Sequence, residues 1–142
     1  MDIYGIKNWR LIVLNLFSSY ISKLSKNSIK LSTAHAALIG KSCIITRGYD
    51  KCLYVFSLDT WDKFISHIDV LPFNKDGRTL RRYFCANAVE AIIDDNRITL
   101  PKDLQKYVGT DVIVIGMIDR LEIWNKSNYE DSYTDLEIKD GV

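Results

Sequence analysis

The sequence predicts an α+β fold made from a duplicated unit, in which two strands, a short helix and two further strands follow one another. The segment that begins at Leu24 aligns with the segment that begins at Ile93, at an offset of about 69 residues. In both segments alternating apolar residues flank a turn, and a helix that ends at a glycine precedes two more apolar stretches. Chance rarely reproduces such an order of elements, so the pattern indicates an internal repeat.

Each copy opens with a predicted hairpin, because alternating apolar residues indicate half-buried strands on both sides of a turn. These residues are Ile21, Leu24, Ile29 and Leu31 in the first copy, and Val89, Ala91, Ile93, Ile98 and Leu100 in the second. Asn27 and Asn96 occupy the turns. Asparagine tolerates positive φ, and an Asp-Asn pair suits a short hairpin loop.

A short helix and a second pair of strands complete each copy. In the first copy Ser32 or Thr33 can cap the start of the helix, and Gly40 can end it. In the second copy Pro101 suits the first helical turn and Gly109 the C-terminal cap. The paired strands are predicted over 43–46 with 53–56, and over 112–115 with 121–124.

Two further helices are predicted to link the copies. The first begins near Asp59, with Trp61, Phe64, Ile65 and Ile68 on one face. Residues 70–77 form a predicted loop, and residues 78–88 form the second helix. Its arginines at 78, 81 and 82 are expected to make salt bridges within or between subunits, with DNA contact as the alternative. The predicted division is an extension over 1–14, a first repeat with its helix over 15–69, a loop and linking helix over 70–86, a second repeat over 87–133 and an acidic tail over 134–142.

Composition excludes several classes of function. Lys and Arg number 19 against 18 Asp and Glu, so no overall basic field points to nucleic acid. Three cysteines without a C-x-x-C spacing and two distant histidines predict no metal site, and reduced thiols suit a cytoplasmic protein. We find no nucleophile elbow and no phosphate-binding glycine loop, so neither an enzyme nor a cofactor is expected. No apolar run approaches the ~20 residues of a membrane span, and no membrane partner is expected.

Four segments in the same order resemble the MraZ family, whose members carry two copies of the AbrB-type swapped-hairpin motif. They are Arg47–Leu53, Arg78–Phe84 with Ala86–Ala88, Arg97–Pro101, and Leu121–Lys126 with Tyr129 and Glu130. The resemblance implies two tandem AbrB-like swapped-hairpin (half-barrel) units with linking helices. It also implies a cytoplasmic, nucleoid-associated transcriptional regulator that forms a ring-shaped homo-oligomer. Such a protein binds double-stranded DNA at direct repeats in the promoter of the division and cell wall gene cluster.

The turns depart from the family pattern of Asp, three intervening residues and Arg. In the second copy Asp94 and Arg97 are separated by one residue fewer, and in the first copy Ser25 and Ser28 replace the acid and the arginine. Ser32 stands where the family has proline. The alternative reading is therefore an oligomeric interaction protein that retains the fold but has weakened or lost DNA recognition.

The second turn supplies the predicted base-reading group. Arg97 offers a planar fork that matches guanine O6 and N7, Asp94 can hold that fork in place, and Asn96 lies between them. The alternative is a surface ion pair that only closes the turn.

The first turn is predicted to supply affinity for phosphate. Lys23, Lys26 and Lys30 surround it, Asn27 can bond a base edge or a phosphate, and Ser28 ends the turn. Lysine positions a duplex better than it specifies bases. The alternative is a solvated basic strand face.

Overall fold

The computed structural model describes residues 17–133; the predicted extension over 1–14 and acidic tail over 134–142 lie outside the described residues. The same order of elements occurs twice in it. The first set is β1 (Ser19–Ser25), β2 (Ser28–Lys30), α1 (Thr33–Ile39), β3 (Ser42–Arg47) and β4 (Cys52–Ser57). The linking helices are α2 (Leu58–Asp69) and α3 (Lys75–Ala86). The second set is β5 (Val89–Asp94), β6 (Arg97–Thr99), α4 (Lys102–Val108), β7 (Asp111–Met117) and β8 (Arg120–Asn125), followed by α5 (Lys126–Asp131).

The strands close into one antiparallel barrel in the order β1-β2-β6-β5-β3-β4-β8-β7. Strands of the two halves pair directly: β2 with β6, β1 with β7, β3 with β5 and β4 with β8. Each half therefore completes the sheet of the other, and the halves share one hydrophobic core.

Both hairpins turn through two residues with positive φ. Lys26 and Asn27 have φ values of 51° and 69°, and Asp95 and Asn96 have 51° and 60°. This is the type I′ geometry whose twist matches that of the flanking strands. The prediction that the asparagines occupy tight turns is confirmed.

One predicted core position is wrong. Ile21 is 62% exposed on the outer face of β1, whereas Tyr20 and Leu24 pack against the barrel core. Side chains of a strand alternate between its faces, so Ile21 and Leu24, three residues apart, cannot both point inward. The inward residues beyond the turns are as predicted: Ile29, Leu31, Ile98 and Leu100 are all buried.

The short helices begin and end close to the predicted residues. Ser32 caps α1 by accepting a hydrogen bond from the His35 amide at 3.1 Å, and Gly40 ends the helix at a φ of 92°. Pro101 takes the cap position of α4 rather than its first turn, and Gly109 ends that helix at a φ of 75°.

The second linking helix begins earlier than predicted. Asn74 caps α3 by accepting from the Gly77 amide at 2.8 Å, so the predicted loop ends before Lys75. The carbonyl of Pro72 occupies the space next to Gly77, where an added Cβ would clash with that oxygen. Glycine serves here as a close-packing residue inside a helix and does not end it.

A second apolar cluster lies outside the barrel, where α2 and α3 cover β3 and β4. Phe56 and Phe84 are its buried centre, and Trp61, Tyr83 and Trp124 pack around them. Within residues 17–133 no helix is long and apolar enough to cross a membrane.

Candidate nucleic-acid interface

All eight predicted site residues lie on the four-stranded sheet β1-β2-β6-β5 or in its two turns. Lys30 stands opposite Arg97, and Arg97 stands opposite Asp94. The register that pairs β1 with β2 carries Lys23 opposite Lys30. These four residues form one row across the outer face of the sheet. Neighbouring strands lie about 4.8 Å apart, so the three cations span about 10 Å.

The two turns lie at opposite ends of this sheet, because β2 and β6 are antiparallel. The carbonyl of Asn27 accepts from the Leu100 amide at 2.8 Å, and the carbonyl of Asn96 accepts from the Leu31 amide at 2.7 Å. Four residues of extended chain therefore separate the turns, which amounts to about 14 Å along the strands. That spacing is close to the width of a DNA major groove, about 12 Å.

Each turn rests on the helix of the opposite half. The Asn27 side chain accepts from Gln105 Nε2 at 3.2 Å, and the Asn96 side chain donates to Thr33 Oγ1 at 3.3 Å. Sequence reasoning missed both supports, because Thr33 and Gln105 follow the turns of the other repeat. The asparagines thus stabilise the turns, and their side chains already have partners within the protein.

Arg97 is held by Ser28 rather than by Asp94. Its Nε donates to Ser28 Oγ at 2.9 Å, and Ser28 is only 8% exposed. Within residues 17–133 no ion pair joins Arg97 to Asp94 within 4.0 Å. The bond uses Nε, so the terminal nitrogens of the guanidinium keep their donors for an external acceptor.

Ser28 and Arg97 are equivalent positions of the two repeats, since the hydrogen bond joins residues 69 apart. The β2–β6 pairing brings these equivalent positions together. Two arginines here would repel one another at short range. The serine of the first copy instead accepts a hydrogen bond from the arginine of the second. In the sequence, only the alignment of the two repeats indicates this contact.

The sequence is similar to a known protein family and to three of its members. A family model described as "MraZ protein, putative antitoxin-like" matches residues 84–139. The transcriptional regulator MraZ of Clostridium tetani is 36% identical over 118 residues, which cover 80% of this chain and 82% of the relative. That of Lachnoclostridium phytofermentans is 34% identical over 103 residues, covering 70% and 73%. That of Acetivibrio thermocellus is 40% identical over 96 residues, covering 65% and 67%.

The chain belongs to the MraZ family. Both turns of this MraZ member are two-residue loops.

Charge is distributed unevenly over the sheet of this MraZ member. Lys23, Lys26 and Lys30 are exposed on β1, β2 and their turn, whereas β5 at the other edge exposes Glu90 and Asp94. Lys23 Nζ lies 3.8 Å from Asp111 Oδ1, and both side chains are exposed. Such a pair contributes about 0–1 kcal/mol, so Lys23 can exchange it for a phosphate. The basic part of the face therefore runs over β1, β2 and β6.

Tyr20 of β1 holds the start of α1, the helix that supports the second turn. The Tyr20 hydroxyl accepts from the Ser32 amide at 2.8 Å and lies 3.2 Å from His35 Nδ1. Burial raises the pKa of Tyr20, and the hydrogen bond from Ser32 partly offsets that rise. This partly buried contact anchors the helix that bonds Asn96.

The predicted arginine cluster lies on α3, away from this sheet. Arg81 donates to the backbone carbonyls of Asp69, Leu71 and Pro72. The guanidinium carbons of Arg78 and Arg81 lie 5.8 and 5.4 Å from the Phe73 ring centroid. The described intrachain contacts of Arg81 are thus with carbonyls and a ring, in place of the predicted carboxylates.

Proposed function

We propose that the chain is a sequence-specific DNA-binding transcriptional regulator, and that the outer face of β1-β2-β6-β5 with its two turns binds double-stranded DNA. The observation that carries the proposal is the row of Lys23, Lys30 and Arg97 across three adjacent strands, with Lys26 at one turn. The relatives named transcriptional regulators support it. Strands as well as helices can enter a DNA groove.

In this proposal Arg97 reads a base. Its Nε bond to Ser28 fixes the plane of the guanidinium. The two terminal nitrogens can then donate to guanine O6 and N7, a contact that discriminates by about 1–3 kcal/mol. Asp94 and Asn96 flank this group and shape the turn without contributing positive charge.

The three lysines bind phosphates. On duplex DNA each neutralised phosphate lowers log K by about 0.9 per log unit of salt. Three phosphate contacts predict a slope of about 2.7, which is modest for a repressor. Asn27 and Ser28 complete this half of the surface without adding charge.

Because one protomer would bind DNA weakly, tight binding requires several copies of the chain. The order strand–strand–helix–strand–strand, repeated with exchanged partners, supports two AbrB-like swapped-hairpin units over 15–69 and 87–133 joined by residues 70–86. A ring-shaped homo-oligomer reading promoter direct repeats in the nucleoid would gain affinity through effective concentration. A monomer would hold one site weakly.

The test is binding of the full chain to its own upstream region and to random duplex of equal length. We expect tighter binding to the upstream region at moderate salt, with Arg97→Ala removing the preference. The triple variant with alanine at Lys23, Lys26 and Lys30 should bind both duplexes equally less tightly. The salt dependence of its affinity should also be smaller. The control is Lys63→Ala, an exposed lysine on α2 outside the sheet. Equal affinity for both duplexes refutes the proposal and favours the interaction-protein alternative.

A further inference from the structure

A second row of outward side chains crosses the sheet β1-β2-β6-β5, next to the row that contains Arg97. Ser25 stands opposite Ser28, and Ser28 stands opposite Thr99. The register that pairs β5 with β6 carries Ile92 opposite Thr99. We call these four residues the uncharged row, because none of their side chains carries a charge.

The two rows correspond to one another in the internal repeat. At the repeat offset of 69 residues, Ile92 is the equivalent of Lys23, and Thr99 is the equivalent of Lys30. The uncharged row therefore has methyl groups where the other row has ammonium groups. Affinity for phosphate comes from positive charge, so the uncharged row must contact a duplex in another way.

Ile92 projects from the outer face of the sheet. Its side chain is 64% exposed, and within residues 17–133 it belongs to neither of the two apolar clusters. Its neighbours across the sheet are the small side chains of Ser42 on β3 and Thr99 on β6. Thr99 is exposed as well. Two adjacent side chains thus present methyl groups to anything that binds this face.

These methyl groups lie close to the guanidinium of Arg97. Arg97 Nε donates to Ser28 Oγ at 2.9 Å, so the guanidinium lies over the uncharged row at β2. Neighbouring strands are about 4.8 Å apart, which places Thr99 about 5 Å and Ile92 about 10 Å from Ser28. Because successive nucleotides of one DNA strand are about 3.4 Å apart along the helix axis, the bases in contact with Arg97, Thr99 and Ile92 would lie within about three base pairs.

The chemistry of the two side chains suits one of the four bases. Thymine presents a methyl group at C5 in the major groove, and the other three bases present only donors, acceptors and ring hydrogens there. Apolar groups, the threonine methyl among them, recognise thymine by contact with that methyl. Ile92 has no group that could bond a donor or an acceptor, so a thymine methyl is the base feature that it can recognise.

We propose that Ile92 and Thr99 are specificity-determining residues, which contact thymine methyl groups within about three base pairs of the guanine read by Arg97. The inference rests on the proposed function and deepens it, because it names a second kind of base that the surface recognises. Lysine at either position would bind the phosphates of any sequence. The exchange of ammonium for methyl groups between the repeats therefore separates a half that binds the DNA backbone from a half that reads bases.

The experiment replaces each thymine of the upstream duplex in turn with 2′-deoxyuridine and measures the affinity of the full chain by fluorescence anisotropy. Deoxyuridine lacks the C5 methyl group and keeps every hydrogen-bonding group of the base. At one or two positions we expect the affinity to fall about three- to fivefold, the change that corresponds to one methyl-sized group left unburied. At the other thymines the affinity should not change.

Two variants assign the sensitive positions to their side chains. Ile92→Ala removes the branched end of the side chain, and Thr99→Ser removes only a methyl group and keeps the hydroxyl. Each variant should bind the thymine duplex less tightly by a similar factor, and should no longer distinguish thymine from deoxyuridine at one sensitive position. The matched control is Ile118→Ala, because Ile118 is 67% exposed in the turn between β7 and β8, outside this sheet. It should behave as the wild type does.

The outcomes separate this contact from DNA recognition as a whole. If the wild type prefers the upstream duplex to random duplex but responds to no deoxyuridine, the methyl contact is wrong and the proposed function stands. A loss that persists unchanged in both variants also overturns the proposal, since the methyl group would then act through the shape and stiffness of the duplex. Equal affinity of the wild type for upstream and random duplex refutes the proposed function, and the base-reading role of Ile92 and Thr99 fails with it.

Discussion

Replacing Ser28 with alanine removes the hydroxyl that accepts from Arg97 Nε at 2.9 Å. Arg97 must then be ordered when DNA binds, which costs about 0.5–1.5 kcal/mol for a long side chain. Because about 1.4 kcal/mol corresponds to a tenfold change, Ser28→Ala should weaken binding to the upstream duplex by about two- to twelvefold. Arg97→Ala removes the base contact itself and should cost about 1–3 kcal/mol.

Fluorescence anisotropy with the double variant tests the coupling. If Ser28 acts through Arg97, adding Ser28→Ala to Arg97→Ala should change the affinity no further. Ser28→Thr, which keeps a hydroxyl, should restore most of the loss, and Ser25→Ala on the same strand pair should be neutral. Additive losses of affinity in the double variant would show that Ser28 contacts DNA itself. An unchanged affinity in Ser28→Ala alone would show that Ser28 does not position Arg97.

Three further predictions concern the fold. Ile98→Ala should lower the free energy of unfolding by about 2–5 kcal/mol, whereas Ile21→Ala on the outer face should change it by about 0.5 kcal/mol or less; urea unfolding that ranks them equally contradicts the strand orientation. Gly77→Ala should cost about 1–3 kcal/mol because its Cβ would meet the loop carbonyl, so an unchanged urea midpoint counts against the close approach. Burial raises the pKa of Cys43 to about 12, so its thiol stays protonated at any pH well below that value. A reagent that reacts with thiolates should therefore modify the exposed Cys85 first. Rapid modification of all three cysteines in the native protein would show that the buried cysteines become exposed by local unfolding.

Local features were predictable because a few neighbouring residues decide them. The turns follow from asparagine at positive φ, and the helix ends follow from Gly40 and Gly109. The start of α3 was misplaced because Gly77 was taken as a loop residue. Its role depends on the Pro72 carbonyl, a contact that no local pattern contains.

The candidate site was predictable as a set of residues but not as an arrangement. The self-alignment and the family resemblance selected both turns and their charged neighbours. The partner of Arg97 was assigned to Asp94, three residues before it in the chain, whereas the fold supplies Ser28 from the other repeat. Pairing between distant strands decides that contact.

By itself, the sequence determined the repeat, the type I′ turns, the apolar faces of the helices and the near-neutral charge, since each depends on residues close together in the chain. Only the tertiary structure decided that the two halves interleave in one barrel and that Lys23, Lys30 and Arg97 share a row. The physical reason is that strand register and side-chain packing are set by free energies summed over the whole core, to which each local segment contributes only a part.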